Sequence, residues 1–209
     1  NSAEDYEDLN ILPKIKFLKD IKEEVTFFVC GASRPSSLSL KLLESLHKKG
    51  VKIKVVCFRP EVDFLSEEQL LQERAVSGIL QQYARSGLFE DITLVSNKVL
   101  EGFVDSINVF DYYKQINDIF CDSYHMLEVF KNTRPVMSTF SRIRESCRIK
   151  TIGVSSISCE DRLFSPFKQE VEVLYYFGIS EEKLKTQGNF FKELTTSVKA
   201  RMGEETKAY

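Results

Sequence analysis

Short apolar runs alternate with longer amphipathic stretches along the first half of the chain. The runs Val25–Gly31, Val51–Phe58 and Asp91–Asn97 are typical of buried β-strands. Between them, Leu38–Lys49 and Ser66–Ser86 carry apolar residues at helical spacing, and a glycine follows each. Strands that alternate with helices of this length predict an α/β fold with a mostly parallel sheet and helices on both faces.

A longer amphipathic stretch, Ile107–Phe130, predicts a long central helix. Within it, Tyr113 and Asn117 are four residues apart and therefore neighbours on one side of the helix. A flat ring beside a carboxamide suits recognition of a planar base, because the ring stacks while the amide donates and accepts hydrogen bonds. On the pair alone, a core aromatic beside a solvated or capped amide is the more common arrangement. The apolar positions that describe one buried face are Ile107, Phe110, Ile116, Ile119 and Phe120.

The second half of the chain has a different order of elements. A helical pattern at Ser138–Cys147 is followed by strand patterns at Ile149–Val154 and Glu170–Phe177, and then by a final amphipathic stretch, Ser180–Met202. These elements predict a second, smaller α/β domain.

Composition excludes several classes of function. The 209 residues include 29 basic and 31 acidic side chains, so no strong field favours nucleic acid or an anionic membrane. No apolar run approaches the ~20 residues of a membrane helix, and the N-terminus lacks a signal-peptide pattern, so we expect a cytoplasmic protein. The five cysteines and two histidines lack the spacing of a zinc site, and we assign no metal ligand. Three cysteines, Cys30, Cys57 and Cys121, are expected to be small buried side chains.

The order of the first-half elements and three short motifs resemble the tubulin and FtsZ family. The motifs are the loop Gly31–Ser37 after the first strand, Ser96–Leu100 at the end of the third, and Tyr113 with Asn117 in the long helix. The resemblance implies that Asn97, Tyr113 and Asn117 contact the base of GTP or GDP, which is the one cofactor it suggests.

The resemblance also implies a domain organisation. Residues 1–106 would form part of a nucleotide-binding-type domain, residues 107–131 the central helix and residues 132–209 part of a second α/β domain. The family's first phosphate-binding βα units have no counterpart here, so we expect the chain to be a portion of a longer polypeptide.

The loop that the resemblance assigns to phosphate is poor in glycine. Only Gly31 remains where the family is glycine-dense, and Pro35 lacks an N–H group. Two interpretations stay open: Arg34 and the serine hydroxyls replace the lost amide contacts, or the stretch is a turn whose serines cap the next helix. The candidate phosphate contacts are Gly31, Ala32, Ser33, Arg34, Ser36 and Ser37.

In the family, an acidic loop after the central helix orients the attacking water on the neighbouring subunit's nucleotide. The corresponding stretch here, Arg134–Ile143, contains no Asp or Glu, and Thr139 and Arg142 occupy the acidic positions. Because a carboxylate is needed to hold that water, we expect little or no GTP hydrolysis and assign no catalytic residue. The resemblance implies head-to-tail self-assembly with Arg134, Thr139 and Arg142 at the interface.

Three functions remain open on the sequence. The first is a tubulin/FtsZ-like structural or cytoskeletal protein that self-assembles head to tail, with a degenerate nucleotide site. The second is a divergent GTPase that forms dynamic filaments with catalytic residues from another segment. The third is an interaction module that binds another protein and does not polymerise.

Overall fold

The computed structural model describes residues 15–33, 36–104, 110–136, 144–157, 160–201 and 207–208. The chain divides into two compact units. One consists of Asn1–Lys98 with Arg148–Lys150, and the other of Val99–Cys147 with Thr151–Tyr209. The domain boundaries expected from the sequence, at residues 106 and 131, stay predictions.

A four-stranded sheet forms the centre of the first unit. Its strands are ordered β1-β2-β3-β4, and each neighbouring pair runs parallel. The register places Phe27 opposite Val55 and Val55 opposite Ile92. The predicted α/β class with a parallel sheet is confirmed. The elements of this unit are β1 (Glu24–Cys30), α1 (Ser36–Lys48), β2 (Lys52–Arg59), α2 (Glu67–Arg85), β3 (Asp91–Ser96) and β4 (Ile149–Lys150).

Local signals fix the ends of the two helices in this unit. The Ser66 hydroxyl accepts from the Gln69 amide, and the Gln69 side chain accepts from the Ser66 amide, so a capping box starts α2. Gly50 and Gly87 follow α1 and α2 with φ of +76° and +83°. Glycine is favoured there because a Cβ strains this left-handed backbone conformation.

The core of the first unit surrounds the central strands. Four consecutive residues of β3, from Ile92 to Val95, are buried. Successive side chains of a strand point to opposite faces, so both faces of the sheet are covered at β3. At the edge, β1 is less covered, and Val29 is its one buried apolar residue within the described chain.

The second unit is built from one long helix, short helices and short strands. Strands β5 and β6 pair antiparallel, and β7 and β8 pair parallel. Ring contacts hold it together: Phe103 meets Phe164 edge-on at 5.2 Å, and Phe130 stacks on Tyr176 at 5.9 Å. Its elements are α3 (Asn97–Glu101, which begins in the first unit), α4 (Tyr112–Asn132), β5 (Gly153–Val154), β6 (Arg162–Leu163), β7 (Glu172–Val173), α5 (Glu181–Thr186), α6 (Phe190–Arg201) and β8 (Lys207–Ala208).

The long helix begins later than the apolar periodicity predicted. Asp111 occupies the N-cap position of α4, and Phe110 lies in the preceding turn with 95% of its surface exposed. The assignment of Phe110 to the buried face was therefore wrong, whereas Ile116 and Phe120 are buried as predicted. The Asp111 side chain makes no capping hydrogen bond to the first turn of α4, so a side-chain cap does not explain the later start. The predicted start, Ile107, lies outside the described residues.

Two strands predicted in the second half are shorter in the structure. The predicted strand Ile149–Val154 divides into β4 in the first unit and β5 in the second. A Cβ on Gly153 would lie 2.5 Å from the carbonyl oxygen of Arg162, so the close approach of β6 needs glycine. Of the predicted strand Glu170–Phe177, only β7 pairs in the described chain. After it, Tyr176 stacks on Phe130 and Tyr175 stacks on Phe177.

Two predicted helices also differ. The described part of Ser138–Cys147, from Arg144 onward, is a turn in which Cys147 N donates to Arg144 O at 2.9 Å. The amide and guanidinium of Arg144 both donate to the Glu172 carboxylate. The predicted helix Ser180–Met202 is interrupted around Gly188, whose backbone entropy disfavours a continuous helix, so α5 and α6 are separate. Within the described ranges, every helix is too short or too polar to cross a lipid bilayer.

Candidate functional site

The carboxyl ends of β1, β2 and β3 lie at one edge of the parallel sheet. A turn at residues 31–33 follows β1, the loop Pro60–Leu65 follows β2, and Asn97 follows β3. Ligands of open α/β sheets bind at this edge, because the loops there converge while the strands supply a rigid base. This edge is therefore the candidate site of the first unit.

The backbone amides of the turn after β1 are already used inside the protein. Gly31 N donates to Phe58 O at 3.1 Å, Ser33 N to Cys30 O at 3.2 Å, and Ser36 N to Ser33 O at 2.9 Å. In a phosphate-binding loop, by contrast, the backbone N–H groups make no internal hydrogen bonds and point at the ligand. These three amides are therefore not presented to an anion.

The fourth described amide of the turn, that of Ala32, hydrogen bonds to the Cys30 thiol. Partial desolvation raises the pKa of this thiol, and the hydrogen bond from Ala32 lowers it by less. The Cys30 side chain is exposed, as is that of Cys121, so the expectation that both are buried was wrong; Cys57 is buried as expected. A residue at the end of an edge strand or on a helix surface reaches solvent even inside an apolar run.

Helix α2 closes the turn from the side. Gln72 Nε2 donates to Ser33 O at 3.1 Å and to the buried Ser36 Oγ at 2.9 Å. A Cβ on Gly31 would lie 3.1 Å from Cγ of Glu73, which is tighter than almost all real Cβ contacts. The need for glycine at this position thus comes from packing against α2.

The carboxylate of Glu73 is buried beneath the turn. It accepts hydrogen bonds from Arg59 Nε at 3.0 Å and from Ser77 Oγ at 2.9 Å. Next to it, burial raises the pKa of Cys57 to about 12, and the negative charge of Glu73 adds to this effect. The guanidinium of Arg59 offsets the charge of this carboxylate, so the pair is neutral overall.

Three residues of this site, Arg59, Gln72 and Glu73, were not predicted from the sequence. A signal for Glu73 was present, because it lies three and seven residues before Val76 and Leu80 on the apolar stripe of α2. A carboxylate on a buried stripe indicates a buried ion pair or hydrogen-bond cluster.

The remaining residues of the predicted phosphate loop are only partly described. Ser33 and Ser36 take part in the closed turn, while Arg34 lies outside the described residues. Ser37 is the second residue of α1, and its side chain is not among those described. Ser36 is the first residue of α1, and the capping interpretation of the serines stays a prediction.

The predicted base contacts belong to different units. Asn97 is half-buried at the start of α3 in the first unit, and Tyr113 and Asn117 lie on α4 in the second. The Tyr113 ring meets that of Tyr112 edge-on at 5.1 Å and is 73% exposed, and Asn117 is exposed as well. The interpretation of Tyr113 as a core aromatic was therefore wrong, and the pair stands open to solvent.

The predicted interface is described at one position. Arg134 is exposed just after the end of α4, and neither an ion pair nor a hydrogen bond of its side chain is present in the described chain. Thr139 and Arg142 lie outside the described residues. Among the side chains that the structure describes, no cluster of three or more His, Cys, Asp or Glu residues could hold a metal ion.

No family model matches this chain, and no curated protein matches it either.

Proposed function

We propose that this chain is a tubulin/FtsZ-like structural protein that self-assembles head to tail, with a degenerate nucleotide site and little or no GTP hydrolysis. The fold is of the α/β class with a parallel sheet. The three sequence motifs described above support the assignment to one family within that class.

The observation that carries the proposal is the closed turn after β1. Its described amides make hydrogen bonds within the protein, Gln72 donates to both Ser33 and Ser36, and the Glu73 side chain packs against Gly31. Phosphoryl transfer depends on amides, cations or metal ions that neutralise phosphate charge. A turn whose amides are already bonded within the protein supports a structural role better than a catalytic one.

The sequence after α4 supports the same conclusion. The stretch Arg134–Ile143 lacks a carboxylate that could orient water. Its exposed Arg134 supports an interaction role, because an exposed guanidinium readily forms bidentate contacts with a carboxylate of a neighbouring molecule.

One observation favours a second candidate, a nucleotide-binding filament protein. Tyr113 and Asn117 share an exposed side of α4, where an aromatic ring and an amide are free to meet a base. In this second candidate function, a guanine nucleotide binds to the assembled protein mainly through its base.

Electron microscopy and analytical ultracentrifugation of the purified chain, with and without GTP or GDP, test the proposal. Filaments, rings or a concentration-dependent series of oligomers are expected. A chain that remains monomeric throughout would favour the third function, a non-polymerising module that binds another protein.

A further inference from the structure

Cys121 and His125 lie four residues apart in the middle of α4, in the second unit. Both side chains are exposed, and neither makes a hydrogen bond or an ion pair within the described chain. Residues four apart on a helix are neighbours on one side of it, with about 5–6 Å between their Cβ atoms. The thiol and the imidazole can therefore reach one point in the solvent.

A thiol and an imidazole at this spacing supply the ligand chemistry that a zinc ion prefers. Zinc binds thiolate sulfur and imidazole nitrogen, whereas Mg²⁺ and Ca²⁺ prefer oxygen ligands. Two ligands four residues apart on one face of a helix are a known arrangement for a single zinc ion. We call Cys121 with His125 the Cys-His pair.

The surrounding charge favours a cation. Residues 115–130 contain three acidic side chains and no lysine or arginine. Two of the three, Asp118 and Asp122, are exposed, and each lies three residues before one member of the Cys-His pair, on the same side of α4. Asp118 pairs with Lys114 at 2.8 Å, while Asp122 has no ion pair among the described residues. The local field therefore attracts a metal ion to the pair.

The Cys-His pair supplies only half of a structural zinc site. Zinc in such sites has four protein ligands in a tetrahedron. The described chain holds no group of three or more His, Cys, Asp or Glu residues that could bind a metal. No metal ligand was predicted from the sequence for the same reason, because one chain lacks four ligands at zinc-site spacing. A second copy supplies the missing two ligands, since it carries the same pair on the same exposed side of α4.

We infer that a zinc ion joins two copies of the chain through α4, with the Cys-His pair of each copy as its ligands. On binding, each thiol releases its proton to the solvent, and each neutral imidazole binds through one ring nitrogen. The same surface is used on both copies, so the contact is isologous and closes at two chains. It is therefore distinct from the proposed head-to-tail contact, which joins two different surfaces and does not close.

The first test titrates the untagged, metal-free protein with zinc chloride, at protein concentrations below those at which light scattering detects assembly. Isothermal titration calorimetry measures the stoichiometry, and analytical ultracentrifugation measures the mass. One zinc ion should bind per two chains, the monomer should become a dimer, and a chelator should restore the monomer. One zinc ion per chain without a change in mass, or no binding, would overturn the inference.

The second test removes one ligand at a time, in Cys121→Ser and in His125→Ala. The matched controls, Cys30→Ser and His47→Ala, change an exposed thiol and an exposed imidazole of the first unit. Each ligand variant should weaken zinc binding at least about tenfold, because loss of an outer-shell partner alone costs that much, and should stay monomeric with zinc. Both controls should bind zinc and dimerise like the unmodified chain.

Cobalt identifies the sulfur ligand directly. Co²⁺ bound by a thiolate gives an intense charge-transfer absorption band in the near ultraviolet, which oxygen and nitrogen ligands do not give. The band should appear with the unmodified chain and with Cys30→Ser and be absent from Cys121→Ser, while circular dichroism checks that each variant is folded. A band that persists in Cys121→Ser would place the metal at another cysteine and contradict the inference.

Discussion

Arg59 donates a 3.0 Å hydrogen bond from Nε to the buried carboxylate of Glu73, directly below the turn at Gly31. This pair joins the end of β2 to the middle of α2, and the Glu73 side chain packs against Gly31. The amides of Gly31, Ser33 and Ser36 are hydrogen-bonded within the protein, so the contacts that stabilise the turn also make it unsuited to phosphate.

Glu73→Ala should destabilise the protein. It leaves Ser77 and Arg59 without their acceptor and opens a cavity under Gly31, and because Arg59 is half-exposed we expect a loss of roughly 1–3 kcal/mol in the free energy of unfolding. Urea denaturation measures this. Gln82→Ala, at an exposed position of the same helix, should change it by less than about 0.5 kcal/mol. Equal losses of stability in the two variants would show that the hydrogen bonds of Glu73 do not stabilise the protein.

Gly31→Ala and Gly78→Ala should have opposite effects. The added Cβ at Gly31 would press on Glu73 Cγ at 3.1 Å, so we expect a destabilisation of about 1 kcal/mol or more. At Gly78, inside α2, nothing lies within 4 Å, and alanine should stabilise the helix by roughly 0.5–1 kcal/mol. Thermal melts of both variants test this, and a stabilising Gly31→Ala would contradict the packing account.

The sequence predicted the first unit well because its signals are local. Apolar runs, helical spacing and the glycines after the helices located the parallel sheet and two helices to within about one or two residues. The role of Gly31 was not predictable in the same way. It depends on contact with Glu73, which lies 42 positions further along the chain, and no local pattern encodes that contact.

The second unit was predicted less well because its residues pack through rings and long-range ion pairs. The apolar stretch after Glu172 looked like a strand, yet Tyr176 stacks on Phe130 and the Tyr175 hydroxyl donates to Asp161. Periodicity registers that such residues are apolar and does not register which partner holds them. The same limit made Tyr113 ambiguous, since a core aromatic and an exposed one have the same spacing.

Tyr113→Ala should weaken binding of GDP or GTP several-fold. Loss of one stacking contact removes about 0.5–1.5 kcal/mol beyond area burial, which isothermal titration calorimetry detects as a higher Kd. Met126→Ala, which truncates another exposed side chain of α4, is the matched control and should leave the Kd unchanged. The absence of binding heat for either nucleotide at high micromolar protein would show that Tyr113 does not bind a base.

Glu172 should make the second unit sensitive to acid. The backbone amide of Arg144, followed by its guanidinium, holds the pKa of Glu172 below its ordinary value of about 4.5. A carboxylate whose pKa is depressed in the folded state stabilises the protein above its unfolded-state pKa and loses this contribution as the pH falls through the folded-state pKa. The stability difference between the native chain and Glu172→Gln should therefore be largest above about pH 4.5 and shrink at lower pH.

Urea denaturation between neutral and acidic pH follows this difference. Glu181→Gln removes an exposed carboxylate that pairs with Lys185 in the same helix, and it should change stability by less than about 0.5 kcal/mol at every pH. A Glu172→Gln difference that is constant with pH would mean that the Arg144 contact does not shift the titration.

The central claim is assembly without hydrolysis, and one measurement tests both parts together. Light scattering and phosphate release are recorded in the same GTP-containing sample across a concentration series of the unmodified protein. We predict that scattering rises above a critical concentration while phosphate release stays at the background of the protein-free sample. Phosphate release that rises in step with scattering would contradict the degenerate site, and scattering that never rises would contradict self-assembly.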